Sequence, residues 1–130
     1  LNAELEEARR RNRAGESVEA PGTRGGTGSL ALEIEATERF NRFSMVTMLA
    51  PSPDWITGVS DVVLFADGEW ADRVAVPLWV WDAGVDKGAT FTAPNAPNQP
   101  RESVRLLASP LFLTETGLMP IGTVTLVRMD

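Results

Sequence analysis

An antiparallel, mainly all-β sandwich with one short peripheral N-terminal helix is the architecture this sequence predicts, and three observations carry it. Apolar residues alternate with period two in several short runs after residue 29. Clusters of Pro, Gly and Asp separate those runs at close intervals. The 3.6-residue period of a helix is confined to the first 13 residues. At 130 residues with 43% hydrophobic content, the chain is long enough for one domain with one core and too short for two ordinary ones.

Residues 1–13 read as a helix because Leu1, Leu5 and Ala8 share a face, while Glu6 with Arg10 and Glu7 with Arg11 stand at i,i+4. Acidic residues come early and basic ones late, as the helix dipole prefers. Gly15 closes the helix, so residues 1–14 are expected to be an N-terminal helix, part of a truncated domain start. Residues 15–28, with Pro21, Gly22, Gly25, Gly26 and Gly28, are a loop by composition. Within it, Arg24-Gly25-Gly26-Thr27-Gly28-Ser29 lacks the Gly-Lys-Ser/Thr ending of a phosphate cradle and follows no strand, so it reads as a connector.

Residues 29–130 hold the sandwich. Leu30, Leu32, Ile34 and Ala36 alternate with Glu33, Glu35 and Thr37, the pattern of a half-buried strand. A second strand spans 40–50, with 43–49 apolar enough to be covered on both faces. Pro51-Ser52-Pro53-Asp54-Trp55 forms a fixed loop, since its two prolines forbid regular pairing. Runs 62–66 and 69–76 flank Asp67-Gly68, a type I′ hairpin signal, and the second arm continues through Leu78, Trp79, Val80 and Trp81. Pro77 inside that arm marks a sheet edge or bulge. Asp82-Ala83-Gly84-Val85-Asp86-Lys87-Gly88 is a second irregular loop. Short strands are expected at 89–93 and 102–107, a Pro/Asn loop at 94–100, and a closing strand at 121–129.

The net charge of −6 and the pI near 4.7 disfavour a phosphate-backbone partner, so no nucleic acid is expected. Every apolar stretch is interrupted well short of the roughly 18–20 residues a membrane helix needs, so the chain is not expected to be transmembrane. It begins on Leu1, not Met, and any signal peptide is expected to lie outside it. Cysteine is absent, which removes disulfides and thiolate metal sites. Histidine is absent too, which removes the commonest general base and the Ser-His and Cys-His nucleophile arrangements. No catalytic residue is assigned, and the chain is expected not to be an enzyme.

Calcium is a hard cation that takes carboxylate, carbonyl and water oxygens, and loops at one end of a sandwich can gather them. The candidates are Asp54 in the first loop, Asp82 and Asp86 in the second, and Asp61, at a strand start, as a lesser fourth. If the strands between Trp55 and Trp81 run up, down and up, the two loops lie at one end and the carboxylates converge. The same residues also suit a plainer role, because Asp in a turn caps its own backbone and no EF-hand spacing is present. The chain has four tryptophans and no tyrosine. Trp79 and Trp81 alternate onto one face, which predicts core packing; the alternative is an exposed platform that stacks carbohydrate without a functional metal. Trp55 is expected to cover the loop end while Trp70, Trp79 and Trp81 pack.

The segment from Phe43-Ser44-Met45-Val46-Thr47-Met48-Leu49-Ala50 through Pro51-Ser52-Pro53-Asp54-Trp55-Ile56-Thr57-Gly58-Val59 resembles the spondin N-terminal domain family. Trp70, then Leu78-Trp79-Val80-Trp81-Asp82-Ala83-Gly84-Val85-Asp86-Lys87-Gly88, then Phe91-Thr92-Ala93-Pro94-Asn95, resemble that family's successive blocks in order. The resemblance covers about residues 29–107. It implies a β-sandwich shaped like membrane-targeting C2 domains, with calcium in loops at one end, held by Asp54, Asp82 and Asp86. Asp61 is offset by one residue from the family's acidic position and ranks last. Animal members are secreted matrix proteins that support cell adhesion, including through integrins, so the resemblance implies a secreted adhesion or matrix-binding module with an extracellular or cell-surface macromolecule as partner. Animal members also carry cysteines near the position of Phe65. A cysteine-free, acidic version suits a microbial member better, and the integrin does not carry over.

Overall fold

The computed structural model describes residues 1–22 and 27–129. Residues 23–26, within the glycine-rich stretch read as a connector, therefore lie outside the described residues, as does Asp130.

Helix α1 (Asn2–Arg10) starts the chain and buries none of its side chains. Its own ion pairs and the dipole arrangement support it: Glu7 engages Arg10 and Arg11, and Glu6 engages Arg9 where the sequence spacing suggested Arg10. The strands are β1 (Arg42–Met48), β2 (Trp55–Val63), β3 (Phe65–Ala66), β4 (Glu69–Trp70), β5 (Arg73–Asp82), β6 (Arg105–Leu106), β7 (Leu113–Thr114), β8 (Gly117–Leu118) and β9 (Gly122–Val127). A five-stranded antiparallel sheet runs β1-β2-β5-β6, with β9 also on β5; β3–β4 and β7–β8 are separate hairpins. The fold class is the expected one, antiparallel β of sandwich type with a short N-terminal helix.

The β3–β4 hairpin turns at Asp67 and Gly68, both at positive φ (53° and 85°), as a type I′ turn requires. Its arms are shorter than predicted, because the first run belongs to β2 and the second restarts as β5. Pro77 lies inside β5 and marks a change of partner. The carbonyls of Leu78 and Val80 accept from Ile121 and Leu107, so the backbone of odd-numbered residues here faces β2. Pairing with β2 ends at Gly58 and Trp79, so the missing N–H of Pro77 falls where β2 no longer needs a donor.

Alternation along β2 and β5 sorts their side chains onto two faces. Trp55, Thr57, Val80 and Asp82 are buried on one, while Ile56, Trp79 and Trp81 are half-buried on the other. Phe112 reaches the buried face from a 3-10 turn (Pro110–Phe112) capped by the Ser109 hydroxyl, which accepts from the Leu111 N–H. Trp55 packs edge-on against Phe91 (4.9 Å between ring centroids) and Phe112 (5.8 Å), a preferred aromatic geometry. Trp55, Val80 and Phe112 form the core, with Leu49, Leu107 and Leu118 around them.

Several expectations are corrected. Trp55, expected to cover the loop end, is fully buried and is the centre of the core. None of the four tryptophans is exposed, so the carbohydrate platform loses the feature that motivated it. Residues 30–36 keep their apolar alternation but form no strand, and Leu30, Leu32 and Ile34 are exposed. Among the described residues no strand pairs with that segment, and the N–H of Glu35 goes to the Glu16 carboxylate. β1 is open on one face instead of covered on both, with Val46 53% and Met48 68% exposed. Residues 89–93 form a turn closed by the Ala93 N–H on the Thr90 carbonyl.

Candidate functional site

β2 and β5 pair directly, with Trp55 opposite Asp82, so the loop that enters β2 and the loop that leaves β5 share one end of the sheet. The expected three-strand path is replaced by this direct pairing, with the β3–β4 hairpin set at the far end. The Ser52 hydroxyl accepts from the Trp55 N–H and fixes the first loop, and the Asp54 carbonyl accepts from Ala83 and ties it to the second.

Asp54, Asp82 and Asp86 are each only 6% exposed. Their hydrogen bonds show two kinds of work. Asp82 Oδ1 accepts from the Gly84 N–H and Asp86 Oδ1 from the Gly88 N–H, both at 2.8 Å, which are the self-capping turns that Asp favours. Asp86 Oδ2 also accepts from Ala96, which joins the Pro/Asn loop to the cluster. Asp54 reaches across to the other loop, where its Oδ2 accepts from Val85 (2.6 Å) and Asp86 (2.9 Å). Its Oδ1 is buried with no hydrogen-bond partner.

Two residues that sequence reasoning missed complete this end. Asn98, 5% exposed, donates Nδ2–H to the Gly84 carbonyl, and its Oδ1 is buried without a partner. Arg105 stands opposite Asp82 in the β5–β6 register and donates from Nε (3.2 Å) and Nη2 (2.9 Å) to Asp82 Oδ2. That hydrogen bond, then the Asp82 charge, then Glu102, hold the Arg105 guanidinium above its ordinary pKa. Asn98 sits in the predicted Pro/Asn loop and Arg105 on a predicted strand, but only the fold-back of that loop onto Gly84 and the register across β5 and β6 make them neighbours of the aspartates.

Two glycines let the loops close. Gly84 has φ +75°, and a Cβ there would lie 2.3 Å from the Glu102 carbonyl oxygen. A Cβ on Gly88 would lie 2.3 Å from Cγ of Pro53, so the two loops are in direct contact at that point.

The loops that carry the three aspartates lie at one end of the sheet, but the described residues contain no group of three or more acidic side chains arranged around a common metal position. Asp61 does not join them. Phe43 pairs with Val62 and Met45 with Val59, which leaves Ser60 and Asp61 opposite Ser44 in a bulge. Asp61 has φ +61°, is exposed, and pairs with Arg42 at 2.6 Å. Along the strand it is on the order of 20 Å from Asp54.

Fold and site together define a class: a cysteine-free antiparallel β domain with buried aspartates in the loops at one end. The sequence comparisons agree with that class and make it specific. The Spondin_N family profile matches residues 1–113, and the chain belongs to this family. Among its relatives, Spondin-2 from Homo sapiens is 34% identical over 119 residues, covering 85% of this chain and 36% of that protein. Spondin-2 from Rattus norvegicus matches to the same extent. Spondin-1 from Gallus gallus is 45% identical over 78 residues, covering 59% of this chain and 10% of that protein. The chain thus spans about a third of the Spondin-2 relatives and about a tenth of this Spondin-1. No helix among the described residues is long and apolar enough to cross a membrane.

Proposed function

We propose that this chain is a non-catalytic, calcium-binding module of a secreted adhesion or matrix protein, with the cation held at the loop end by Asp54, Asp82 and Asp86. One observation carries the metal reading: the buried, unpartnered Oδ1 of Asp54. An acceptor left in that state costs about 1–3 kcal/mol, and more when it carries charge. A cation would satisfy it. Asn98 Oδ1 is a second acceptor in the same condition, bonded through its amide to the loop that Asp54 grips. The donors are all oxygen, which suits calcium better than zinc or copper.

Charge supports the same reading. Three carboxylates are each buried at this end of the sheet, and among the described residues Arg105 is the one cation hydrogen-bonded to any of them. Buried charge of one sign is costly unless it is paired. Bound calcium would neutralise it and cross-link the two loops, while Gly84 and Gly88 keep those loops close enough to share a ligand. The extracellular setting and the adhesion role rest on membership in the spondin family. The partner is an extracellular or cell-surface macromolecule, and the charge of −6 argues against nucleic acid.

Isothermal titration of calcium into the protein and into an Asp54→Asn variant tests the reading. The expected result is one saturable site in the parent protein that is lost or strongly weakened in the variant. Absence of binding to the parent protein, or equal binding to both, overturns it.

A further inference from the structure

We propose that the outer face of the five-stranded sheet is a self-association surface: two copies of this chain pack these faces against each other about a twofold axis and close into a dimer. The proposal is independent of the calcium reading, because this face lies across the sheet from the buried Asp82.

Strand register builds the surface. Residues directly opposite each other in an antiparallel pair share a face. Met48 stands opposite Ile56, Ile56 opposite Trp81 and Trp81 opposite Leu106, so one apolar row crosses β1, β2, β5 and β6. Val46, Gly58 and Trp79 form the next row. Neither row contains a charged side chain, in a chain that is 23% charged. Phe112 and Leu118 cover the opposite face, whereas on this one Met48, Val46 and Leu106 stay 68%, 53% and 42% exposed. Contiguous exposed apolar surface marks an interaction site, and Trp and Met are enriched at the centres of interfaces.

Area and charge select a second copy as the occupant. This chain exposes 9794 Å² where a compact monomer of 14.1 kDa exposes about 6,700 Å², a surplus of about 3,000 Å². Helix α1 and residues 30–36 hold part of that surplus. Half of it still exceeds the roughly 1,000 Å² per partner at which obligate interfaces begin. Each chain carries a net charge of −6, so two copies can come together only through a surface free of charge. The two rows meet that condition, and they offer a charged partner nothing to pair with. A twofold contact uses the same face on both copies and stops the assembly at two.

Sedimentation velocity over a concentration series, at low and high salt, tests this on the parent protein, Met48→Glu, Leu106→Glu and Leu111→Glu. Met48, Leu106 and Leu111 are all exposed, so none of these charges enters the core, and circular dichroism checks that each variant keeps the fold. Leu111 belongs to the 3-10 turn on the other side of the sheet and serves as the control. The expected result is a parent dimer that is at least about tenfold weaker in Met48→Glu and in Leu106→Glu and unchanged in Leu111→Glu. Salt should tighten it, because screening weakens the repulsion between two acidic chains. Tryptophan emission should shift to the red on dilution, as Trp79 and Trp81 meet water. A parent chain that stays monomeric across the series, growth beyond two copies, a dimer loosened by salt, or one broken by Leu111→Glu and not by the other two variants overturns the proposal. A monomeric parent that binds a hydrophobic dye through this face, with the binding lost in Met48→Glu, gives the face to a different partner and overturns the proposal as well.

Discussion

Asp54, just before β2, and Asp61, within it, share a residue type but little else. Asp54 is buried, takes two backbone N–H groups from the opposite loop and keeps one oxygen without a partner. Asp61 is exposed, sits in a bulge at positive φ and pairs with Arg42 on the surface. The difference comes from the neighbours. Asp54 is 6% exposed, so its carboxylate is stable only if it is bonded or charge-compensated. At the bulged end water does that work, and an exposed ion pair contributes little.

Substitutions can break or sharpen this contrast. The largest effect is expected for Trp55→Ala, which removes the centre of the core and should cost about 4 kcal/mol in urea denaturation. Gly84→Ala should cost about 3 kcal/mol, from strain at φ +75° and the clash with the Glu102 carbonyl, and raise hydrogen exchange across 83–86. Asp54→Ala strips the acceptor from the Val85 and Asp86 N–H groups and should lower stability by about 2 kcal/mol, read from the thermal midpoint without calcium. Asp61→Ala should change stability by less than about 0.5 kcal/mol. Equal losses for Asp54→Ala and Asp61→Ala would erase the distinction between the two ends.

The legible parts of the fold were those in which local pattern and tertiary partner coincide. β1, β5 and β9 show their period, and Asp67-Gly68 announces its turn, whereas β2 begins at Trp55, well before the expected run at 62–66. Residues 30–36 show the same period without a strand, because alternation tells which side chains share a face and not whether a neighbour is there to pair the backbone. Phe112 was invisible for a related reason: the elements around it are two or three residues long, too short to carry a period, yet they deliver a core residue.

At the site, the loops carrying Asp54, Asp82 and Asp86 were readable from their Pro, Gly and Asp content and from the family blocks. Arg105 and Asn98 were not, since their roles depend on β6 lying opposite Asp82 and on a loop folding back to Gly84. Asp61 was misplaced because a bulge leaves no sequence mark here beyond an Asp that tolerates positive φ.

Thermal unfolding in excess calcium and in chelator, for the parent protein, Asp54→Asn and Asp61→Asn, tests the central claim most directly. At a calcium concentration about 100 times Kd, binding to the folded state alone adds about 2.7 kcal/mol, a midpoint rise on the order of 10 °C for a domain of this size. The account predicts that rise in the parent protein and in Asp61→Asn, and its loss in Asp54→Asn. Identical midpoints in calcium and chelator for the parent protein would contradict it.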